Sequence, residues 1–200
     1  MPDSYDVVII GSGFGGAITA RRLAEKGKSV LVLERGRRWD PTTYPRTPSD
    51  PWIYSDSRPH KFNGWLDMRF YGRMTVALGA GVGGGSLCYS AVAIEPNAET
   101  FETHWPKEIT LEELRPYYDT VAGEMHLQTI PDNQLPRRYQ MAQAAARNLG
   151  HQDRYTKAGL VMNFDEEWNY DLDDAVDVKH SKTFINKQGV EQGTCVHLGN

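Results

Sequence analysis

Residues 5–16 read Tyr5-Asp6-Val7-Val8-Ile9-Ile10-Gly11-Ser12-Gly13-Phe14-Gly15-Gly16, four β-branched residues running straight into Gly-x-Gly-x-x-Gly. The unbroken apolar run Val7–Ile10 suits a parallel strand covered on both faces and not an exposed hairpin. After it, Ala17, Ala20, Leu23 and Ala24 fall on one helical face, and Gly27 stands where a C-cap glycine belongs. A second apolar strand, Ser29 to Leu33, closes with Glu34. With 19 glycines in 200 residues the glycine pattern alone is weak, so its surroundings decide its meaning. Strand, glycine turn, helix, strand and an acid about twenty residues beyond the turn specify the opening of a dinucleotide-binding fold.

Each residue of that turn has a physical task. Gly11 permits the tight turn, Gly13 lets backbone approach a phosphate, and Gly16 lets the helix lie close to the strand. A pyrophosphate is then held at a helix N-terminus, where unpaired N–H groups and the helix dipole favour negative charge. Glu34 accepts hydrogen bonds from ribose hydroxyls and repels a 2′-phosphate, which makes NADP the least suitable dinucleotide. NAD and FAD both remain open at this point, as does a nucleotide-binding module without turnover.

Bulk properties narrow the class further. The chain is long enough for one well-buried domain, or for a domain and part of another. A net charge of −4 with mixed signs argues against a nucleic-acid partner held by a basic surface. No apolar run reaches the length of a membrane span, and Asp3, Ser4 and Asp6 replace the basic start of a signal peptide. Cys88 and Cys195 give neither a disulfide framework nor metal-ligand spacing, so a reduced cytoplasmic setting is expected. The ending Cys195-Val196-His197-Leu198-Gly199-Asn200 reads as a cut through a loop within a longer protein.

Beyond Gly36 the pattern leaves a plain nucleotide-binding half-domain. Pro41, Pro45, Pro48, Pro51 and Pro59 exclude a regular crossover helix, while Trp39, Tyr44, Trp52 and Tyr54 imply an ordered excursion over 37–61. A strand is expected at Met74–Leu78, and then Gly79-Ala80-Gly81-Val82-Gly83-Gly84-Gly85-Ser86 strips side chains from a second turn. Such a turn lets backbone N–H groups converge on an anion or a flat ring, and its apolar flanks, Met74–Leu78 and Leu87–Ile94, are expected to bury it. One pyrophosphate is already served, so a flavin ring or ribityl chain is the natural occupant, and FAD is favoured over NAD.

The rest reads mostly as scaffold. Thr110 with Glu113 forms a capping box, Pro116 is expected to open a separate helical run through Met125, and Pro136 opens another that ends at Gly150. A short strand is expected over Leu160–Phe164. Asp165, Glu166, Glu167, Asp171, Asp173, Asp174 and Asp177 match no calcium loop and read as a solvated acidic surface. No metal site and no catalytic residue are assigned. His104, beside Trp105-Pro106, is read as a packed loop residue, and His197 is the other local candidate for a base.

Gly81-Val82-Gly83-Gly84-Gly85-Ser86-Leu87 with Ala93-Ile94-Glu95-Pro96 resembles the flavin-contacting segment of the glucose–methanol–choline (GMC) oxidoreductases, and within them the bacterial cholesterol oxidase branch. Gly-Ser-Gly-Phe-Gly-Gly at 11–16, Glu34-Arg35-Gly36 and Glu113-Leu114-Arg115-Pro116-Tyr117-Tyr118 fit as well. The resemblance covers most of 5–125. It implies an α/β chain with a Rossmann-like FAD-binding domain over 1–125, a central parallel sheet interrupted by insertions, and a helical or irregular segment over 126–200 leading into an incomplete substrate domain. It implies oxidation of an alcohol, sterol-like or otherwise bulky, by hydride transfer to flavin, with electrons passed to oxygen or another acceptor. Gly11, Gly13, Phe14, Gly15, Gly16, Glu34 and Arg35 would bind the ADP half. Gly81, Gly83, Gly84, Gly85, Ser86, Tyr89 and Ser90 would lie on the isoalloxazine side. Tyr89-Ser90-Ala91-Val92 stands where the branch has Asn-Gly-Gly-Met, and no His is present there for covalent attachment of the flavin. The family's catalytic His and its partner come from its C-terminal part.

Overall fold

The computed structural model describes residues 4–40, 43–45, 47–187 and 189–196, in two compact units, Met1–Ser90 and Ala91–Asn200. The first unit closes at Ser90, whereas the sequence reading carries the cofactor domain to 125.

In the first unit, β1 (Val7–Ile10) and β2 (Val30–Leu33) pair in parallel, Val7 opposite Val30 and Ile10 opposite Leu33, and α1 (Phe14–Glu25) connects them. The register is pinned at both ends. The Asp6 carboxylate accepts from the Ser29 N–H and hydroxyl, both at 2.8 Å, and the Gly11 N–H donates to the Leu33 carbonyl at 2.7 Å. Gly27 takes a φ of +74° just past the end of α1 and donates to the Ala24 carbonyl, as its C-cap position requires.

One expectation about this sheet, a larger central parallel sheet, is not shown, and another is corrected. Among the described residues the parallel sheet is the pair β1–β2, and the other two-stranded sheets are antiparallel. The cause is local: where a crossover helix would return the chain to a third parallel strand, the prolines divert it into a hairpin. That hairpin pairs β3 (Leu66–Tyr71) with β4 (Met74–Gly79), and Gly72 in the turn has a φ of +54°. Strand β1 is also not covered on both faces. Val7 and Ile9 are half-buried, while Val8 and Ile10 are 54% and 88% exposed.

The proline-rich segment packs through its aromatic residues. Tyr44 stacks on Trp65 at 5.4 Å, meets Trp39 edge-on at 6.1 Å, and donates its hydroxyl to the Leu87 carbonyl at 2.8 Å. Tyr54 is buried beneath the Arg35 guanidinium. Asp67 on β3 is buried too and receives Arg35 at 2.7 Å and Arg69 at 3.0 Å. Burial would raise its carboxyl, but the hydrogen bonds from Arg69 and Arg35 prevail and hold it below the usual carboxylate range.

The second unit holds the other three α-helices and two short antiparallel strand pairs. β5 (Val92–Ala93) pairs with β6 (Gly159–Leu160), shorter than the strand expected over 160–164. α2 (Ala98–His104), α3 (Leu111–Glu124) and α4 (Arg137–Asn148) intervene, and β7 (Thr183–Ile185) and β8 (Glu191–Gly193) form a hairpin. The capping box is present: Thr110 accepts from the Glu113 N–H at 3.3 Å, and Glu113 accepts from the Thr110 N–H at 3.1 Å. Pro116 does not start a new helix; it lies inside a continuous α3. Its missing N–H removes the intrahelical hydrogen bond that would run to Glu112, a position on an exposed helix face. Pro136 caps the start of α4, and Gly150 follows its end with a φ of +71°. In the acidic stretch, Lys182 reaches Asp165 at 2.9 Å and Glu167 at 2.6 Å, so part of that charge is compensated.

Candidate functional site

The site begins at the junction of β1 and α1. Gly11 has a φ of +92°, and a Cβ built on Gly16 would lie 2.0 Å from the Gly11 carbonyl oxygen, so the helix can start this close to the strand only with glycine there. In contrast, a Cβ on Gly11, Gly13 or Gly15 meets nothing within 4 Å. Gly13 is the N-cap of α1, no side chain caps the helix, and its first turn carries no acid. Uncapped N–H groups at the start of a helix favour an anion.

The second glycine turn lies against the first. A Cβ on Gly84 would come within 2.9 Å of the Gly13 Cα, and one on Gly79 within 2.0 Å of the Gly84 carbonyl oxygen. Gly81 is buried, and a Cβ there would meet the Trp39 indole at 2.8 Å. Gly83, with a φ of +110°, caps a short 3₁₀ turn over Gly84–Leu87, and Ser86 folds back so that its hydroxyl donates to the Gly83 carbonyl at 2.9 Å. Burial of this turn is partial: Ala80 and Gly81 are buried, whereas Gly85 and Ser86 are exposed.

Glu34, just past β2, is tied to the first turn and to Gly36. Its Oε2 accepts from the Ser12 N–H at 2.9 Å and the Ser12 hydroxyl at 2.7 Å, and its Oε1 accepts from the Gly36 N–H at 3.0 Å. Partial burial would raise this carboxyl, but hydrogen bonds from Gly36, Ser12 and Arg35 outweigh it and keep the group below the ordinary range. It is an ionised acceptor at neutral pH.

The other sequence-derived residues divide. Phe14 meets Tyr89 edge-to-face at 5.3 Å, which joins the first turn of α1 to the end of the second glycine segment, and burial pushes the Tyr89 phenol up. The Arg35 side chain turns to Asp67 and Tyr54. Ser90 follows Tyr89 on the exposed surface. His104 is not a packed loop residue: it is the exposed last residue of α2, its Nδ1 2.6 Å from the Thr103 hydroxyl. His197 lies outside the described residues. Ser12 and Asp67 carry no signal in the sequence pattern, and Trp39 is legible there only as an aromatic of the proline-rich excursion. Ser12 occupies a position that the glycine pattern leaves open, and the signal for it is a partner far along the chain: its hydroxyl accepts from the Gly83 N–H at 3.0 Å, across 71 positions.

Residues 6–44 match the family model described as FAD dependent oxidoreductase. The choice that the first glycine turn leaves open is thereby resolved, and the dinucleotide is FAD. A cholesterol oxidase of Acinetobacter baumannii is 30% identical over 201 residues, which take in 98% of this chain and 34% of that protein. A cholesterol oxidase of Mycobacterium tuberculosis (strain ATCC 25618 / H37Rv) is 39% identical over 129 residues, 59% of this chain and 21% of that protein. An uncharacterized GMC-type oxidoreductase of the same strain is 30% identical over 153 residues, 72% of this chain and 23% of that protein. The chain thus spans between about a fifth and a third of the length of these relatives. No helix among the described residues is long and apolar enough to cross a membrane.

Proposed function

We propose that this chain, a relative of the GMC-type oxidoreductases over their N-terminal part, carries the FAD-binding portion of an enzyme that oxidises an alcohol. The observation that carries this reading is the joining of the two glycine turns, Gly84 backed against Gly13 while the start of α1 stays uncapped and open. Gly11, Gly13, Phe14, Gly15 and Gly16 hold the pyrophosphate by backbone N–H groups. Glu34, kept ionised, takes the adenosine ribose hydroxyls, and Arg35 fixes the segment behind it through Asp67. Gly81, Gly83, Gly84, Gly85, Ser86, Tyr89 and Ser90 line the flavin side. The cofactor-bearing domain runs over 1–125, and 126–200 leads toward the substrate.

Bound FAD supplies the hydride acceptor for a CH–OH carbon. What these residues contribute is binding and orientation: the glycine turns fix the dinucleotide, and the 79–86 turn excludes water from one side of it. No base is assigned in this chain. A sterol or another bulky alcohol is the proposed substrate, with oxygen or a second acceptor receiving the electrons; the cholesterol oxidase names of two relatives support the sterol.

The full-length protein is expected to purify yellow, with the absorption bands of oxidised flavin, and to bleach anaerobically when a sterol or smaller alcohol is added. A colourless protein that retains NAD instead would end the proposal, and a yellow protein that no alcohol bleaches would end its alcohol part.

A further inference from the structure

The Gly-x-Gly-x-x-Gly pattern asks nothing of its second residue, yet here Ser12 makes more side-chain contacts between separate segments than any glycine beside it can. Its hydroxyl lies 2.7 Å from Glu34 Oε2 and 3.5 Å from the Gly81 carbonyl, and it accepts the Gly83 N–H at 3.0 Å. A hydroxyl has one proton to give, and the short contact to a carboxylate takes it. The Gly83 N–H fills an acceptor site on the same oxygen. One oxygen atom therefore connects the acid after β2 to the turn after β4, and the Ser12 N–H, also on Oε2 at 2.9 Å, prevents the carboxylate from rotating away.

We infer that Ser12 is a positioning residue for FAD, setting Glu34 and the Gly81–Gly84 backbone as one unit. This rests on the FAD reading above, in which Glu34 serves the adenosine end and the second turn serves the flavin end. If Ser12 coupled nothing, the two ends would tolerate its loss independently, and any residue of similar size would serve. If it couples them, only a hydroxyl serves, and removing Glu34 leaves Ser12 with little further to contribute.

The test uses the full-length protein, stripped of flavin and titrated with FAD, with affinity read from the change in flavin fluorescence. Ser12→Thr and Ser12→Val differ almost only in the hydroxyl, so the comparison isolates it from shape. Ser12→Thr is expected to bind FAD more tightly than Ser12→Val by roughly tenfold. Glu34→Ala should weaken binding on its own, and Ser12→Val added to it should weaken it by less than about twofold more, a non-additivity diagnostic of one linked unit. Equal affinities for the Thr and Val variants, or effects of Ser12→Val and Glu34→Ala that multiply, would overturn the inference. A wild-type protein that takes up no FAD would overturn the cofactor assignment, and the inference would fall with it.

Discussion

The two glycine turns have similar composition and opposite surroundings. At the first, Gly11, Gly13 and Gly15 face open space, and only Gly16 is hemmed in by backbone. At the second, Gly79, Gly81 and Gly84 each approach protein atoms more closely than a Cβ allows, and Gly85 alone of that run meets nothing. Glycine in the first turn keeps room for a ligand; glycine in the second mostly lets one piece of protein lie on another. A glycine-rich segment is therefore not evidence of ligand contact residue by residue. The second turn serves the first by backing it, and its exposed end, Gly85 and Ser86, is the part most open to solvent.

Substitutions can break this contrast. The largest effect is expected from Gly79→Ala, whose methyl would lie 2.0 Å from a backbone oxygen. It should lower the stability of the FAD-free protein by about 3 kcal/mol in urea denaturation, while Gly85→Ala changes it by less than about 0.5 kcal/mol. If the two variants denature alike, the second turn is not packing-limited. Next comes Gly13→Val, at an N-cap with extended backbone and no neighbour within 4 Å. It should leave the FAD-free protein within about 1 kcal/mol of wild type yet weaken FAD binding by roughly a hundredfold, because its methyls fill the phosphate space. FAD retained at wild-type stoichiometry would move the pyrophosphate elsewhere.

The smallest effect concerns acid. Glu34 is held below its ordinary value of 4.5, so its contribution to stability is fully present above that value and is lost as pH falls through the lower folded-state pKa. Glu34→Gln should cost about 1 kcal/mol near neutral pH, and the gap between variant and wild type should close as pH falls through the lowered folded-state pKa. A gap independent of pH would mean that the Ser12 and Gly36 hydrogen bonds do not favour the ionised form.

Much of the first unit was legible because its signals are local. The apolar run, the glycine spacing and Gly27 define β1, α1 and β2 within thirty residues; in the second unit Thr110 with Glu113 announces its helix in four. What sequence missed depends on partners far along the chain. Nothing near Ser12 reveals Gly83, and nothing near Gly79 reveals that the Gly84 carbonyl occupies the space of a Cβ. Pro116 misled because a proline that opens a helix and one tolerated inside it look alike without knowing which carbonyl loses its partner. Hydrophobicity, likewise, implied cover for both faces of β1 but could not identify what would supply it.

That strand face has a consequence at the bench. Val8, Ile10 and Leu33 present an apolar strip on two neighbouring strands. Handled as these 200 residues, the polypeptide has a surface on which copies can adhere, and turbidity should climb with concentration and with kosmotropic salt. Cooling weakens hydrophobic attraction, so a cold, dilute, sulfate-free buffer is the condition in which its colloidal behaviour should be mildest.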